Sequence, residues 1–240
     1  MWYLLLSAVG TFCVSTGFFA LLDYWHERRG TLRQVKYGSD ETIDWPTYVK
    51  VAKRSMWNIV TVLAPMSAIF RWTGTTFGSF SHTLTLPQGV SLMLASVVVE
   101  DLLFYLAHRA LHTRLLYRYH KLHHQLVDPF AVGVFYSSAP ENALVNFGPV
   151  LAVPFITHLS EPWLVIWINM AMLSGVVSHC GYRIPFVQFH DTHHKRNTIN
   201  FGVGGLSDWV FGTYMASDVA TCSDVRVVVT NQQSGVITTT

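Results

Sequence analysis

The sequence predicts an all-α integral membrane protein, a bundle of four to five transmembrane helices carrying a cytosolic histidine-rich helical cap. Three observations predict it. Half of the 240 residues are hydrophobic and only 12% are charged, against roughly 25% in a soluble globular domain. Five long runs carry almost no charge. Of the twelve histidines, nine fall in or just before three tight clusters. The same composition excludes a disordered chain and a coiled coil. A net charge of +2, with no basic stripe interleaved with aromatics, excludes a nucleic-acid binder.

Residues 2–22 form an uncharged run of 21, enough for a helix that crosses the hydrocarbon with about 20 residues. The run lacks a positive n-region and exceeds the roughly 7–15 residues of a signal-peptide core, so a retained span is expected. Residues 56–70 make a second run, between Arg54 and Arg71. A third extends over 88–107, past Glu100 and Asp101. Residues 142–160 and 162–182 are two more, parted by Glu161. If these runs cross, or the last two form a re-entrant hairpin, the basic residues of 23–54, 108–141 and 183 onward share one face. That face holds 15 of the 16 lysines and arginines, and the positive-inside rule makes it cytosolic. The expected organisation is an N-terminal span and basic cytosolic loop (1–54), a histidine-bearing membrane domain (55–216) and a polar tail (217–240).

The three cysteines, Cys13, Cys180 and Cys222, make no CxxC pair, so neither a disulfide framework nor a zinc ribbon is supported. Cys180 is expected as a buried small hydrophobe.

The clusters are His108–Arg–Ala–Leu–His112, His120–Lys–Leu–His123–His124 and His190–Asp–Thr–His193–His194, with His179 upstream of the last. Histidines four apart on a helix share a face and can reach one metal. Nine imidazoles exceed one ion, and two metals with four or five nitrogen ligands each suit them better. On a straight helix the first two clusters would lie about 18 Å apart, too far for a shared site, so a break is expected between residues 113 and 119. A zincin would need HExxH, and Arg109 stands in that glutamate's place. The Glu-x-x-His pairs of ferritin-like di-iron bundles are absent. Spacing alone leaves iron, zinc, copper and nickel open. Redox chemistry on a lipid is the better use of two ions at a membrane surface. A membrane zinc hydrolase, a metal transporter or sensor, and a non-catalytic metal- or sterol-binding protein are the competing readings.

The order of these clusters, with His179–Cys–Gly–Tyr182, Asn200–Phe–Gly202 and Phe211–Gly–Thr213, resembles the fatty acid hydroxylase/sterol desaturase superfamily over about residues 90–215. Within it the chain looks most like the sterol C-4 methyl oxidase and cholesterol 25-hydroxylase branch. The resemblance implies a catalytic domain over 55–216 in the endoplasmic reticulum membrane. It implies two iron ions, O2, and electrons from NAD(P)H through cytochrome b5 or a similar donor protein. The substrate would be a sterol or fatty-acyl lipid, hydroxylated or desaturated. Carried over by motif, the iron ligands are His108, His112, His120, His123, His124, His179, His190, His193 and His194. Asp191, Asn200, Glu100 and Asp101 are candidates to hold the ring N–H groups of those ligands. The chain departs from many relatives at Ser137–Ser–Ala–Pro–Glu141, where a His-Pro pair precedes the glutamate.

Overall fold

The computed structural model describes residues 2–36, 42–72, 83–184 and 189–216. His82, Cys222 and the 217–240 tail lie outside them. The helices, in order, are α1 (Trp2–Arg28), α2 (Leu32–Val35), α3 (Trp45–Trp72), α4 (Leu86–Leu111), α5 (Tyr117–His120), α6 (Ala139–Glu141), α7 (Phe147–Thr157), α8 (Glu161–Ser178), α9 (Phe189–Arg196) and α10 (Leu206–Val210). A π-helical turn, Asn142–Asn146, joins α6 to α7.

Local chemistry starts and stops these helices. Thr85 and Gln88 form a capping box at the head of α4, which satisfies amides that the first turn leaves free. Ser160 precedes α8, whose second residue is Pro162, where a missing N–H costs nothing. α4 ends at Leu111, and the Thr113 hydroxyl donates to the Ala110 carbonyl at 2.8 Å. The chain turns and becomes helical again only at Tyr117. The break expected between residues 113 and 119 is present.

α1, α4 and α8 are long and apolar enough to cross a membrane. Their outward apolar side chains, including Leu6, Val14, Leu21 and Leu94, are exposed, as a lipid-facing surface requires. The all-α membrane bundle agrees with expectation. Of the four to five expected spans, these three meet both length and hydropathy among the described residues. α3 is equally long but carries Lys50, Lys53 and Arg54 in its N-terminal half, and the 142–160 run divides into the π turn and α7.

α1 and α8 run side by side in the same direction. Near their starts Tyr3 bonds to Glu161. Midway, Thr11 donates to Asn169 at 2.5 Å and Asn169 to Ser7 at 3.1 Å. Past their ends Tyr182 and Lys36 both donate to the buried Asp23, at 2.9 and 3.0 Å. α4 points the same way, because Gly89 near its start packs on Trp163 near the start of α8. The Trp167 indole donates to the Val150 carbonyl at 2.9 Å and ties α8 to α7. The histidine-bearing ends of α4 and α8 therefore lie at one end of the bundle. Cys180 is buried in the core beside them.

A methyl group at position 89 would lie 1.9 Å from the Trp163 ring. Gly89→Ala is expected to cost about 1–3 kcal/mol by overpacking, read as a lower unfolding midpoint in detergent. Gly10→Ala, with open space around the same atom, should leave that midpoint in place.

Candidate metal centre

All nine histidines of the sequence clusters converge. His108, His112, His120, His124 and His193 form one group, and His123, His179, His190 and His194 a second. Within each group one nitrogen per ring lies within 4.8 Å of the others. With metal–imidazole bonds of roughly 2.1 Å, donors on opposite sides of one ion sit about 4.2 Å apart, so each group has the dimensions of a metal site. The groups adjoin, with the His124 and His194 ring centroids 5.0 Å apart.

The two HxxHH boxes divide in the same way. His120 and His124 enter the first group while His123 enters the second; His190 and His194 enter the second while His193 enters the first. A four-residue step on a helix turns about 40° and a three-residue step about −60°. On α9, which carries His190, His193 and His194, the i and i+4 rings therefore stay together and the i+3 ring points to the neighbouring group; the His120 box reaches the same division across the turn that follows α5 and a 3-10 turn over His123–Gln125.

Backbone and carboxylate acceptors fix the ring orientations. His108 Nδ1 donates to the Phe201 carbonyl at 2.7 Å, His193 Nδ1 to Ile199 at 2.7 Å and His179 Nδ1 to Gly175 at 2.9 Å. A carbonyl only accepts, so these rings carry their hydrogen on Nδ1 and present a bare Nε2 to the centre. His120 Nδ1 lies 2.8 Å from Glu141 Oε1.

The inward nitrogens are crowded. His124 Nε2 stands 2.9 Å from His120 Nε2, 3.2 Å from His193 Nε2 and 3.3 Å from His112 Nε2. His179 Nε2 stands 3.1 and 3.2 Å from those of His190 and His123. A ring nitrogen has one in-plane position, a hydrogen or a lone pair, and serves one partner. Hydrogen bonds among the rings cannot satisfy such clusters, whereas one cation per group satisfies every nitrogen at once. Both nitrogens of buried His194 also lack a hydrogen-bond partner. The donor set thus fits metal ions, and an all-imidazole set suits iron, zinc, copper or nickel.

Burial keeps the rings neutral, the form that binds metal. It holds His112 at about 3 and His124 and His179 at about 4, against the ordinary 6.5. It holds His120, His123, His190, His193 and His194 low as well. Burial raises the Asp191 carboxyl to about 7 and pushes Glu141 well above its usual value. A cation on His120 would favour the ionised Glu141 and strengthen its hydrogen bond to the ring.

The candidate supports behave differently from their expected role. Asp101 accepts from the Gly204 and Ser207 amides at 2.6 and 2.7 Å. It clamps the loop whose Phe201 carbonyl holds His108, so it acts one step removed. Asn200 bonds to the Phe189 carbonyl and to both backbone groups of Met215, linking the start of α9 to the final described segment. Asp191 is buried, with Oδ1 unpartnered. Glu100 lines a cavity and touches no imidazole through a hydrogen bond among the described residues.

Glu141 and Asp208 are the polar groups that sequence reasoning missed. Ser138-x-x-Glu141 reads as a helix-capping box, and Ser138 does accept from the Glu141 amide at 3.3 Å. The Glu141 carboxyl turns to His120 instead of back to the cap. Asp208 accepts from the Phe201 and Gly202 amides at 2.8 and 2.7 Å. A Cβ on Gly202 would lie 2.8 Å from Asp101 and 2.9 Å from Asp208, so only glycine passes between the two clamps.

Beneath the second group an apolar cavity of about 800 Å³, counting the space at its mouth, opens into the bundle. Ala8, Leu63, Phe104, Val150 and Met172 from five helices form its walls, and His179 and His190 stand at its metal-facing end.

The depressed imidazole values set a pH dependence. Between about 6.5 and 4 the unfolded chain takes up protons that the folded rings refuse. Stability is therefore full above 6.5 and is lost as pH falls. Asp191 and Glu141, raised in the folded state, act in the opposite direction, but the depressed imidazoles outnumber them. The metal-stripped protein should show an unfolding midpoint that drops between pH 7.5 and pH 5, measured in detergent by circular dichroism.

Comparison with known proteins adds an independent observation. The model of the fatty acid hydroxylase family matches residues 93–213. A very-long-chain aldehyde decarbonylase of rice (Oryza sativa subsp. indica) is 31% identical over 235 residues, covering 87% of this chain and 85% of that protein. The human fatty acid hydroxylase domain-containing protein 2 is 37% identical over 122 residues, 48% of this chain and 36% of the human protein's length. A Dictyostelium discoideum protein named as a methylsterol monooxygenase is 28% identical over 196 residues, 75% of this chain and 73% of its own. No solved structure matches. The matched segment contains all nine converging histidines, and with it the chain belongs to the fatty acid hydroxylase family.

Proposed function

We propose that this protein is a membrane-bound di-iron oxygenase that hydroxylates or desaturates a lipid, a sterol or fatty-acyl compound, using O2. The observation that carries the reading is the pair of adjacent imidazole groups, five and four rings, at the end of an apolar cavity. His108, His112, His120, His124 and His193 would hold one iron; His123, His179, His190 and His194 would hold the other. When bound, the two ions supply the activation of O2 that cleavage of an unactivated C–H bond requires.

The remaining work belongs to the chain itself. The Phe201, Ile199 and Gly175 carbonyls hold three rings with Nε2 inward. Glu141 holds a fourth and, with a cation on that ring, would place negative charge behind it. The cavity receives the lipid body and excludes water, so a reactive oxidant meets the substrate carbon first. Residues 55–216 are the proposed catalytic unit, and α1 of the 1–54 segment contributes Ala8 to its cavity wall. Reducing equivalents would come from NAD(P)H through cytochrome b5 or a similar donor protein. The proposed location is the endoplasmic reticulum, with the histidine end of the bundle in the cytosol. Hydrophobic helices and the basic residues at that end support this orientation.

The test is metal analysis of the purified protein together with O2-dependent product formation on a panel of sterols and fatty-acyl lipids. Two irons per chain and an oxygenated or desaturated product are expected; zinc without O2 dependence would end the reading. His193→Ala and His123→Ala should each abolish turnover while expression persists, and should lower iron content through different groups. Glu141→Gln keeps a hydrogen-bond acceptor but removes the charge, and should reduce metal affinity or activity about 10–100-fold, measured by competition with a chelator.

A further inference from the structure

Glu100 stands apart from both histidine groups. It lies on α4, on the same face as Phe104 and His108, whose rings are 5.2 Å apart. Eight residues separate it from His108, about 12 Å along the helix axis. The residue is 8% exposed and lines the apolar cavity that ends at His179 and His190. Among the described residues its carboxyl has no hydrogen bond or ion pair. Its neighbour Asp101 is fully engaged by the amides of Gly204 and Ser207. The other polar side chains of the lining are also occupied: Asn146 donates to Asn142 at 2.8 Å and Ser178 to the Gly175 carbonyl at 2.9 Å.

An unpartnered carboxyl at membrane depth is costly, and such residues mark places where a polar ligand is received. The rest of the wall, including Val150, Leu151, Ile168 and Met172, offers an aliphatic body only dispersion and desolvation. The geometry points to Glu100 as the acceptor or donor for a hydroxyl group on the lipid substrate, making the cavity selective for hydroxylated lipids over hydrocarbon of equal length. A hydroxyl suits this position because it both donates and accepts, and so matches a carboxyl in either protonation state. The inference rests on the reading of this cavity as the lipid site, and it makes Glu100 a specificity residue with no part in holding metal.

The test measures binding without turnover. The purified protein in nanodiscs, kept free of O2 and reductant so that no turnover occurs, is titrated with tritiated 1-hexadecanol and, separately, tritiated hexadecane. A net hydrogen bond of ordinary strength gives the alcohol an advantage of about tenfold. Glu100→Leu and Glu100→Met should each erase that advantage while still binding hexadecane, which reports an intact cavity. Glu100→Gln should retain it within about threefold. No preference in the wild-type protein, or a preference that survives in either apolar variant, would overturn the inference. Failure of O2-dependent product formation, with the alcohol preference intact, would overturn the oxygenase reading and leave this one standing.

Discussion

Nine imidazoles are forced together in a buried space where their inward nitrogens cannot all hydrogen-bond to one another. This crowding is costly in a metal-free chain, and much of the architecture at this end of the bundle serves to impose it. Each ring must be aimed from outside, because lone pairs at about 3 Å do not attract. The aiming groups are acceptors: the Phe201, Ile199 and Gly175 carbonyls and the Glu141 carboxyl. The break between α4 and α5 brings the second cluster back over the first, where a continuous helix would carry it away.

The membrane helices act as the frame for these acceptors. α4 and α8 point the same way and end at the same level, so His108 and His179 enter the centre from the bundle below. α5 and α9 bring His120, His190, His193 and His194 against them. Between these helices runs the loop after α9, and two buried carboxylates, Asp101 and Asp208, hold it by four amides. Gly202 lets both approach closely, and Asn200, with a positive φ of 56°, turns the chain at the loop's start. Packing in the spans and aim at the metal centre are thus mechanically joined through residue 101.

Much of this was legible from residue order. Hydropathy located the long helices because lipid imposes a length and a composition on any segment that crosses it. The distance between the first two histidine clusters required the break near Thr113. The nine histidines that converge are those that the family resemblance carried over by motif. Spacing did not assign partners to the acidic side chains. Asp101 and Asn200 were expected against imidazoles and instead hold backbone, since nothing in sequence distance shows which amide a carboxylate will face. Glu141 carried the signature of a helix cap, a local role that a contact with His120, 21 positions away, overrides.

By itself the sequence determined the all-α membrane class, the helix break and the spacing within the histidine boxes. These follow from hydropathy and helical period, which act over a few residues at a time. Only the tertiary structure decided how the nine rings divide into five and four, which nitrogen of each faces inward, and that the cavity ends at His179 and His190. Those features depend on atoms far apart in the chain, such as His108 and the Phe201 carbonyl 93 residues later. Their meeting is set by side-chain packing and loop conformation, which no local pattern encodes.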